Sequence, residues 1–174
     1  MKVKGKVYVC GDHIDTDQII PGKYLVRDDL EFLGQHALEG LDPEFSKKAK
    51  EEGYRIIVAG RNFGCGSSRE QAPAALKGAG IELIIAKSFA RIFYRNSILG
   101  GILNLVEADI ADKVRTGDML EVDLEKGVIS NLNTGETYRF LKSYPKEFLE
   151  IVKAGGITAY NKKRMGIPNS SIQS

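Results

Sequence analysis

The chain has 174 residues and a formal net charge of +2, from 25 basic and 23 acidic side chains. A balance so close to neutral excludes the strong field that recruits nucleic acid or an anionic membrane surface. No apolar run approaches the ~20 residues of a membrane-spanning helix, and we expect a cytoplasmic protein. Because no internal repeat or low-complexity linker divides the sequence, a single domain over residues 1–174 is predicted.

The two cysteines, Cys10 and Cys65, are far apart and lack CxxC spacing. They therefore encode neither a disulfide scaffold nor a complete zinc or iron-sulfur ligand set. Reduced thiols are the simpler interpretation, and a redox pair stays open if the two Cα atoms lie within ~7 Å. Any metal must come largely from elsewhere.

The first half of the chain carries clear strand and helix signals. Valine alternates with lysine and glycine over residues 2–10, which predicts a strand with one solvated face. After a polar turn cluster, Asp42 followed by proline predicts the capped start of a helix that ends at Gly53. The short β-branched run at residues 54–60 then predicts a buried strand.

The middle of the chain alternates helix and strand. Pro73 is tolerated only in the first turn of a helix, so the next helix begins at about Ser68 or later. Its end is predicted at Gly78 or Gly80. Strands follow at residues 81–88 and 102–109, with a helix at residues 88–101 between them. This order predicts a parallel α/β unit.

Beyond residue 111 the pattern changes. Three short alternating segments within residues 118–140 predict antiparallel hairpins. Residues 145–156 predict an amphipathic helix that proline begins and glycine ends, and the basic run at 161–165 is typical of a solvated helix end. The predicted fold class is α/β, with a mixed sheet, flanking helices and additional hairpins.

Residues 60–70, GRNFGCGSSRE, connect a predicted strand to a predicted helix. In open α/β sheets, ligands bind beyond the carboxyl ends of the strands, near helix N-termini with unpaired N–H groups. The glycines permit positive φ and close approach, Ser67 and Ser68 offer hydroxyls, and Arg69 offers a fork for a carboxylate or phosphate. The segment, called the serine loop below, is a predicted anion site.

Known loop motifs fit the serine loop poorly. A Walker loop needs a lysine that is missing, the third glycine of a dinucleotide fingerprint would fall at Arg69, and neither serine has the glycine spacing of a nucleophile elbow. A catalytic triad would need His13 or His36, both distant in sequence. An ordinary N-cap role for Ser68, with its neighbours merely solvated, stays open.

Other charged and aromatic residues have simpler explanations. The carboxylates of DTDQ, residues 15–18, could hold magnesium or act as an acid-base pair, but polar caps of a turn are the better interpretation. Arg91 and Arg95 are four residues apart and would share a helix face, toward either a cleft or solvent.

Three segments, GDHIDTDQIIPGKYL (11–25), GRNFGCGSSREQAPAAL (60–76) and AKSFARIFYRNSILGGI (86–102), together carry a resemblance through nearly the whole chain. The chain resembles the small subunits of aconitase-superfamily hydro-lyases, specifically 3-isopropylmalate dehydratase and its relative homoaconitase. The resemblance implies the swivelling β/β/α domain, here a separate polypeptide. It also implies a large partner subunit that holds a [4Fe-4S] cluster through three cysteines, with one iron open to a di- or tricarboxylate substrate.

The chemistry implied by this family is dehydration followed by rehydration, which moves a hydroxyl to the neighbouring carbon. The open iron acts as Lewis acid on the departing hydroxyl, and a base removes a proton alpha to a carboxylate. By motif position, Ser67 resembles the family's basic serine, Arg69 the arginine that binds a substrate carboxylate, and Ser68 a substrate partner. Thr16 and Asp17 match a pair beside the active site, where Asp17 orients an arginine or a cluster-side group.

Residues 22–29 resemble the family loop that distinguishes one malate derivative from another. The residues concerned are Tyr24, Leu25, Val26 and Arg27. An inward Val26 would favour 2-isopropylmalate, whereas an inward Arg27 would favour homoaconitate, because a desolvated carboxylate demands a charged partner. We favour isopropylmalate and leucine biosynthesis, since Leu-Val follows the tyrosine directly. In a neutral alternative, Arg27 pairs with a neighbouring aspartate and selects nothing.

Two other classes of function stay open. A stand-alone module would bind a small diacid without any partner. RNA binding, known among aconitase relatives, is disfavoured by the near-neutral charge and by the lack of a basic-aromatic face.

Overall fold

The computed structural model describes residues 1–168, in which seven strands form one sheet. The strands are β1 (Lys2–Val9), β2 (Tyr54–Ala59), β3 (Leu83–Ala86), β4 (Asn104–Glu107), β5 (Met119–Asp123), β6 (Val128–Asn131) and β7 (Thr137–Arg139). The helices are α1 (Thr16–Ile19), α2 (Leu30–Gln35), α3 (Phe45–Glu52), α4 (Gln71–Gly78), α5 (Arg91–Leu99), α6 (Lys146–Ala154) and α7 (Ile157–Arg164), with a 3₁₀ turn at Gly22–Tyr24.

The strand order is β4-β3-β2-β1-β5-β6-β7. β1 to β4 pair in parallel, whereas β5, β6 and β7 are antiparallel to their neighbours. The predicted mixed sheet, with a parallel α/β unit and added hairpins, is therefore confirmed. The single-domain prediction for residues 1–174 includes residues 169–174, which lie outside the described residues, and it stays a prediction.

The two halves of the sheet are buried to different depths. All four residues of β3 and five of the six residues of β2 are buried, as expected for parallel strands covered on both faces. In β5, buried Leu120 and Val122 alternate with half-buried Met119, Glu121 and Asp123, which is typical of an antiparallel strand with one solvated face. The parallel half therefore lies deepest in the core, which continues into the antiparallel half through Leu120, Val122 and Ile129.

Proline and glycine set most helix ends where the sequence predicts them. α3 ends at Gly53 and α6 at Gly155, both in left-handed conformations. α4 has Glu70 at its N-cap position, so Pro73 lies in the first turn as required. One start differs, because the Asp42 side chain accepts from the backbone of Glu44 in a turn and delays α3 until Phe45.

Helices α1 and α2 are absent from the sequence predictions, and both are shorter than seven residues. α2 packs against α4 through glycines, since a Cβ at Gly34 would overlap the backbone of Gly78. The two helix backbones are therefore in direct contact. None of the helices within residues 1–168 has the length and apolar character needed to cross a membrane.

Candidate active site

The loops that follow β1, β2 and β3 meet at the carboxyl edge of the sheet and pair with one another. Thr16 N donates to the carbonyl of Cys65 (2.8 Å), and Ala90 N donates to the carbonyl of Phe63 (2.9 Å). These bonds belong to two isolated bridges that continue the parallel pairing beyond the strands. The serine loop is thus held on both sides by backbone bonds.

A cleft of about 210 Å³ lies between the serine loop and the first turns of α5. Ser67 and Ser68 are both exposed and contribute to its wall. The N-cap interpretation of Ser68 is wrong, because Glu70 occupies that position and no side chain caps α4. The lining residues are Thr16, Gly64, Gly66, Ser67, Ser68, Arg69, Ala90, Arg91, Ile92, Phe93 and Asn96.

Gly64 and Gly66 have positive φ angles of 85° and 94°, as predicted for this loop. At Gly64 a Cβ would also overlap the ring of Phe93, a residue of α5. Only glycine therefore lets the serine loop approach α5 this closely. The approach fixes the width of the cleft.

Arg69 is held in one orientation by two acceptors. Its Nη1 donates to Asp17 Oδ1 (2.9 Å) and to the carbonyl of Ile20 (2.8 Å), and its side chain is 18% exposed. Within residues 1–168 its Nη2 and Nε have no hydrogen-bond partner. The hydrogen bond from Arg69, assisted by the Gly22 amide, lowers the pKa of the Asp17 carboxyl below its usual value. An ionised Asp17 thus orients a guanidinium that keeps free donors.

Thr16 touches the serine loop from the opposite side. It is 3% exposed, and its Oγ1 donates to the carbonyl of Ser67 (2.8 Å). Asp15 and Gln18, its neighbours in DTDQ, form a reciprocal capping box at the start of α1. The interpretation of this segment as polar caps is confirmed for Asp15, whereas Asp17 pairs with Arg69 instead.

The predicted specificity residues lie outside the cleft wall. Val26 is 82% exposed. Arg27 donates from Nε and Nη2 to the two carboxylate oxygens of Asp29, at 2.9 and 3.0 Å. Neither side chain points inward, and the ion pair of the neutral alternative is present. Tyr24 and Leu25 are half-buried at the base of the same loop.

Two further residues line the cleft, Arg91 and Asn96, and the sequence alone does not place either of them there. Arg91, the first residue of α5, lines the cleft, whereas Arg95 does not. The spacing of four residues between the two arginines indicates that they share a helix face but not which way that face points. Asn96 completes the wall, and no sequence signal singles it out.

Cys10 is buried and Cys65 half-buried, and both are free thiols.

Comparison with known proteins defines the class first. Residues 34–109 match the model of the aconitase C-terminal domain family. A crystal structure of 3-isopropylmalate dehydratase from Methanocaldococcus jannaschii superimposes with a TM-score of 0.86 at 45% identity, covering all of both chains. Fold and sequence thus define a swivelling domain of the aconitase superfamily.

Full-length relatives give the family. The 3-isopropylmalate dehydratase small subunit of Pyrobaculum calidifontis is 56% identical over 94% of this chain and 99% of its own length. The isopropylmalate/citramalate isomerase small subunit of Methanocaldococcus jannaschii is 52% identical over 94% of this chain and 95% of its own length. The chain belongs to the family of 3-isopropylmalate dehydratase small subunits.

Proposed function

We propose that this chain is the small subunit of a two-subunit hydro-lyase that isomerises 2-isopropylmalate to 3-isopropylmalate in cytoplasmic leucine biosynthesis. One observation carries the proposal: two exposed serine hydroxyls share a cleft with an arginine that Asp17 orients while leaving other donors free. The names of the relatives and their full-length similarity support the same activity.

The chemistry assigns one role to each of three neighbouring residues. The free N–H groups of Arg69 bind a substrate carboxylate, and Ser68 donates to the same carboxylate from its hydroxyl or amide. The oxygen of Ser67 removes the proton alpha to a carboxylate and returns a proton on rehydration. Because a serine alkoxide is costly in water, a guanidinium of the cleft wall and oriented backbone N–H groups must stabilise it.

The described residues do not fit as ligands of an iron-sulfur cluster. Within residues 1–168 no three His, Cys, Asp or Glu side chains come together, and Cys10 is buried away from the surface. We place the [4Fe-4S] cluster of the proposed enzyme in a large subunit, as membership of the aconitase superfamily suggests. When bound there, it supplies Lewis acidity toward the departing hydroxyl.

The loop after the 3₁₀ turn supports isopropylmalate over homoaconitate. Val26 presents an exposed apolar side chain that a second subunit and an isopropyl group could cover. Arg27 would have to leave its two bonds to Asp29 before it could bind a further carboxylate. Homoaconitate is the alternative substrate. A substrate with a shorter alkyl group is also consistent with an apolar contact at Val26, since one relative is named for both isopropylmalate and citramalate.

The test is anaerobic reconstitution of this chain with a cluster-bearing large subunit, followed by assays with isopropylmalate and homoaconitate. We expect no turnover by either chain alone and turnover of isopropylmalate by the pair. Ser67→Ala is expected to assemble normally and to lower kcat at least ~100-fold, as loss of an acid-base group does. Ser143→Ala, at an exposed serine outside the cleft, is the matched control.

Two results would reject the proposal. Near-normal turnover by Ser67→Ala would remove the base assignment. Tight binding of a diacid by the isolated chain, without turnover by any reconstituted pair, would favour the stand-alone module.

A further inference from the structure

A cluster of four side chains lies at the base of the loop that carries Val26 and Arg27. We call Tyr24, Phe32, His36 and Glu39 the ring clamp. The rings of Tyr24 and His36 stack with their centroids 3.7 Å apart and their planes at 9°. Phe32 packs edge-on against both rings, at 6.1 and 5.0 Å.

Glu39 joins the two stacked rings. Its carboxylate oxygens lie 2.6 Å from Tyr24 Oη and 2.6 Å from His36 Nδ1. Because a carboxylate only accepts, the proton of the second bond resides on Nδ1 of His36. Burial opposes ionisation of Glu39, but the bonds from Tyr24 and His36 outweigh it, and the pKa of its carboxyl is lowered. Both contacts are therefore short, charge-assisted hydrogen bonds.

The ring clamp also reaches Arg27 directly. The Arg27 guanidinium lies over the ring of Phe32, 4.6 Å from its centroid, while its N–H groups bind Asp29. Asp29 in turn accepts from the backbone N–H of Phe32 and caps α2. One set of contacts thus turns the Arg27 side chain back onto α2.

Two further contacts tie this assembly to the serine loop. Asp28 accepts from the Gln71 side chain, in the first turn of α4, at 3.1 Å. The backbones of α2 and α4 touch at Gly34 and Gly78. The loop at residues 24–29 is consequently anchored on the same helix that follows Arg69. These contacts come from this chain alone, and a loop that is held before binding reduces the entropy that binding must supply.

We propose that His36 and Glu39 are positioning residues for substrate discrimination, an inference that rests on the proposed function. They hold Tyr24 and Phe32 in place so that Arg27 stays bound to Asp29. Of the two neighbouring side chains, only the apolar Val26 is then available to contact the substrate. Loosening the clamp frees the Arg27 guanidinium to meet a third carboxylate. The substrate preference then moves from the alkyl acid toward the tricarboxylate.

The first experiment measures kcat/KM of the reconstituted complex for 2-isopropylmalate and for homoaconitate. Glu39→Gln and His36→Leu are expected to lower the ratio of these constants at least ~10-fold, mainly through KM, the range that side-chain contacts supply. His36→Phe keeps a stacking ring and should recover part of the ratio. Glu82→Gln breaks a comparable short pair with Arg55 (2.6 and 2.7 Å) elsewhere and should leave the ratio unchanged.

The second experiment needs neither turnover nor a partner. Hydrogen exchange of the isolated chain follows the amides of Tyr24 and Leu25, which donate to the carbonyls of Pro21 and Gly22. We expect Glu39→Gln to speed their exchange at least ~10-fold and to leave the buried strands unchanged. Unchanged amide exchange in Glu39→Gln overturns the positioning role. Faster exchange together with an unchanged ratio of the two kcat/KM values also overturns it. A wild-type complex that turns over neither acid overturns the proposed function itself.

Discussion

Thr16→Val tests whether a buried hydroxyl holds the proposed base in place. Valine has nearly the shape of threonine, so the substitution removes the 2.8 Å bond from Oγ1 to the Ser67 carbonyl and little else. Leaving a buried carbonyl without a donor costs about 1–3 kcal/mol. Thr16 is 3% exposed, but Ser67 is exposed and its carbonyl can be partly rehydrated. We therefore expect a loss near the low end, about 1 kcal/mol.

The effect on turnover should exceed the effect on stability. A displacement of about 1 Å at a reacting group can cost about 100-fold in rate, and the Ser67 backbone loses its lateral support in this variant. We expect kcat to fall at least ~10-fold. Urea unfolding of the isolated chain gives the stability, and anaerobic initial rates of the reconstituted enzyme give kcat.

Thr16→Ser is the matched control because it keeps the hydroxyl. It should retain kcat close to that of the wild type. Wild-type kcat in Thr16→Val would refute the reasoning. Equal losses in both variants would assign the effect to packing of the methyl group instead.

Three other predictions concern stability, binding and thiol reactivity. Gly34→Ala should lose about 1–3 kcal/mol in urea unfolding, as overpacking does, because its Cβ would lie 2.5 Å from a carbonyl oxygen of α4. Gly11→Ala meets nothing within 4 Å and is the control. Asp17→Asn should raise KM about 10-fold with little change in the melting temperature, because the Asp17 side chain of this ion pair is 71% exposed. Since that carboxyl has a lowered pKa, wild-type binding should be constant above about pH 4 and weaken below it. Iodoacetamide at about pH 8 should label Cys65 and spare Cys10, whose thiol pKa burial raises to about 12.

Each of these predictions has a clear contrary result. Equal stability of the two glycine variants would mean that α2 can move away from α4 freely. An unchanged KM in Asp17→Asn would mean that Arg69 needs no orientation. Equal labelling of both thiols, measured by mass spectrometry of tryptic peptides, would mean that the first strand opens readily.

Much of the sheet follows from local signals. β2 and β3 are short β-branched runs that end at polar or glycine residues, and Gly53 and Gly155 end helices because they adopt left-handed angles. The local sequence does not predict α2 because this helix is only six residues long and contains Gly34 next to its last residue. Such a helix exists through its packing on α4, which the local sequence does not specify.

The site was predictable by residue type but not by contact. Ser67, Ser68 and Arg69 stand together in the sequence, so their shared cleft follows from the position of one loop. The bond from Thr16 to Ser67 joins residues 51 positions apart, and no local pattern reveals such a pairing. The direction of Arg27 likewise depends on Phe32, a residue of the helix that the sequence did not predict.

The bridges between the three loops at the carboxyl edge also determine where this chain can change length. One extra residue near Thr16, Cys65 or Phe63 would shift the register of two neighbouring segments at once. The turns between β5, β6 and β7 have no such partners at the cleft and can absorb insertions. Variation in length within the family should therefore gather in those turns, and a fused tag or reporter belongs there as well.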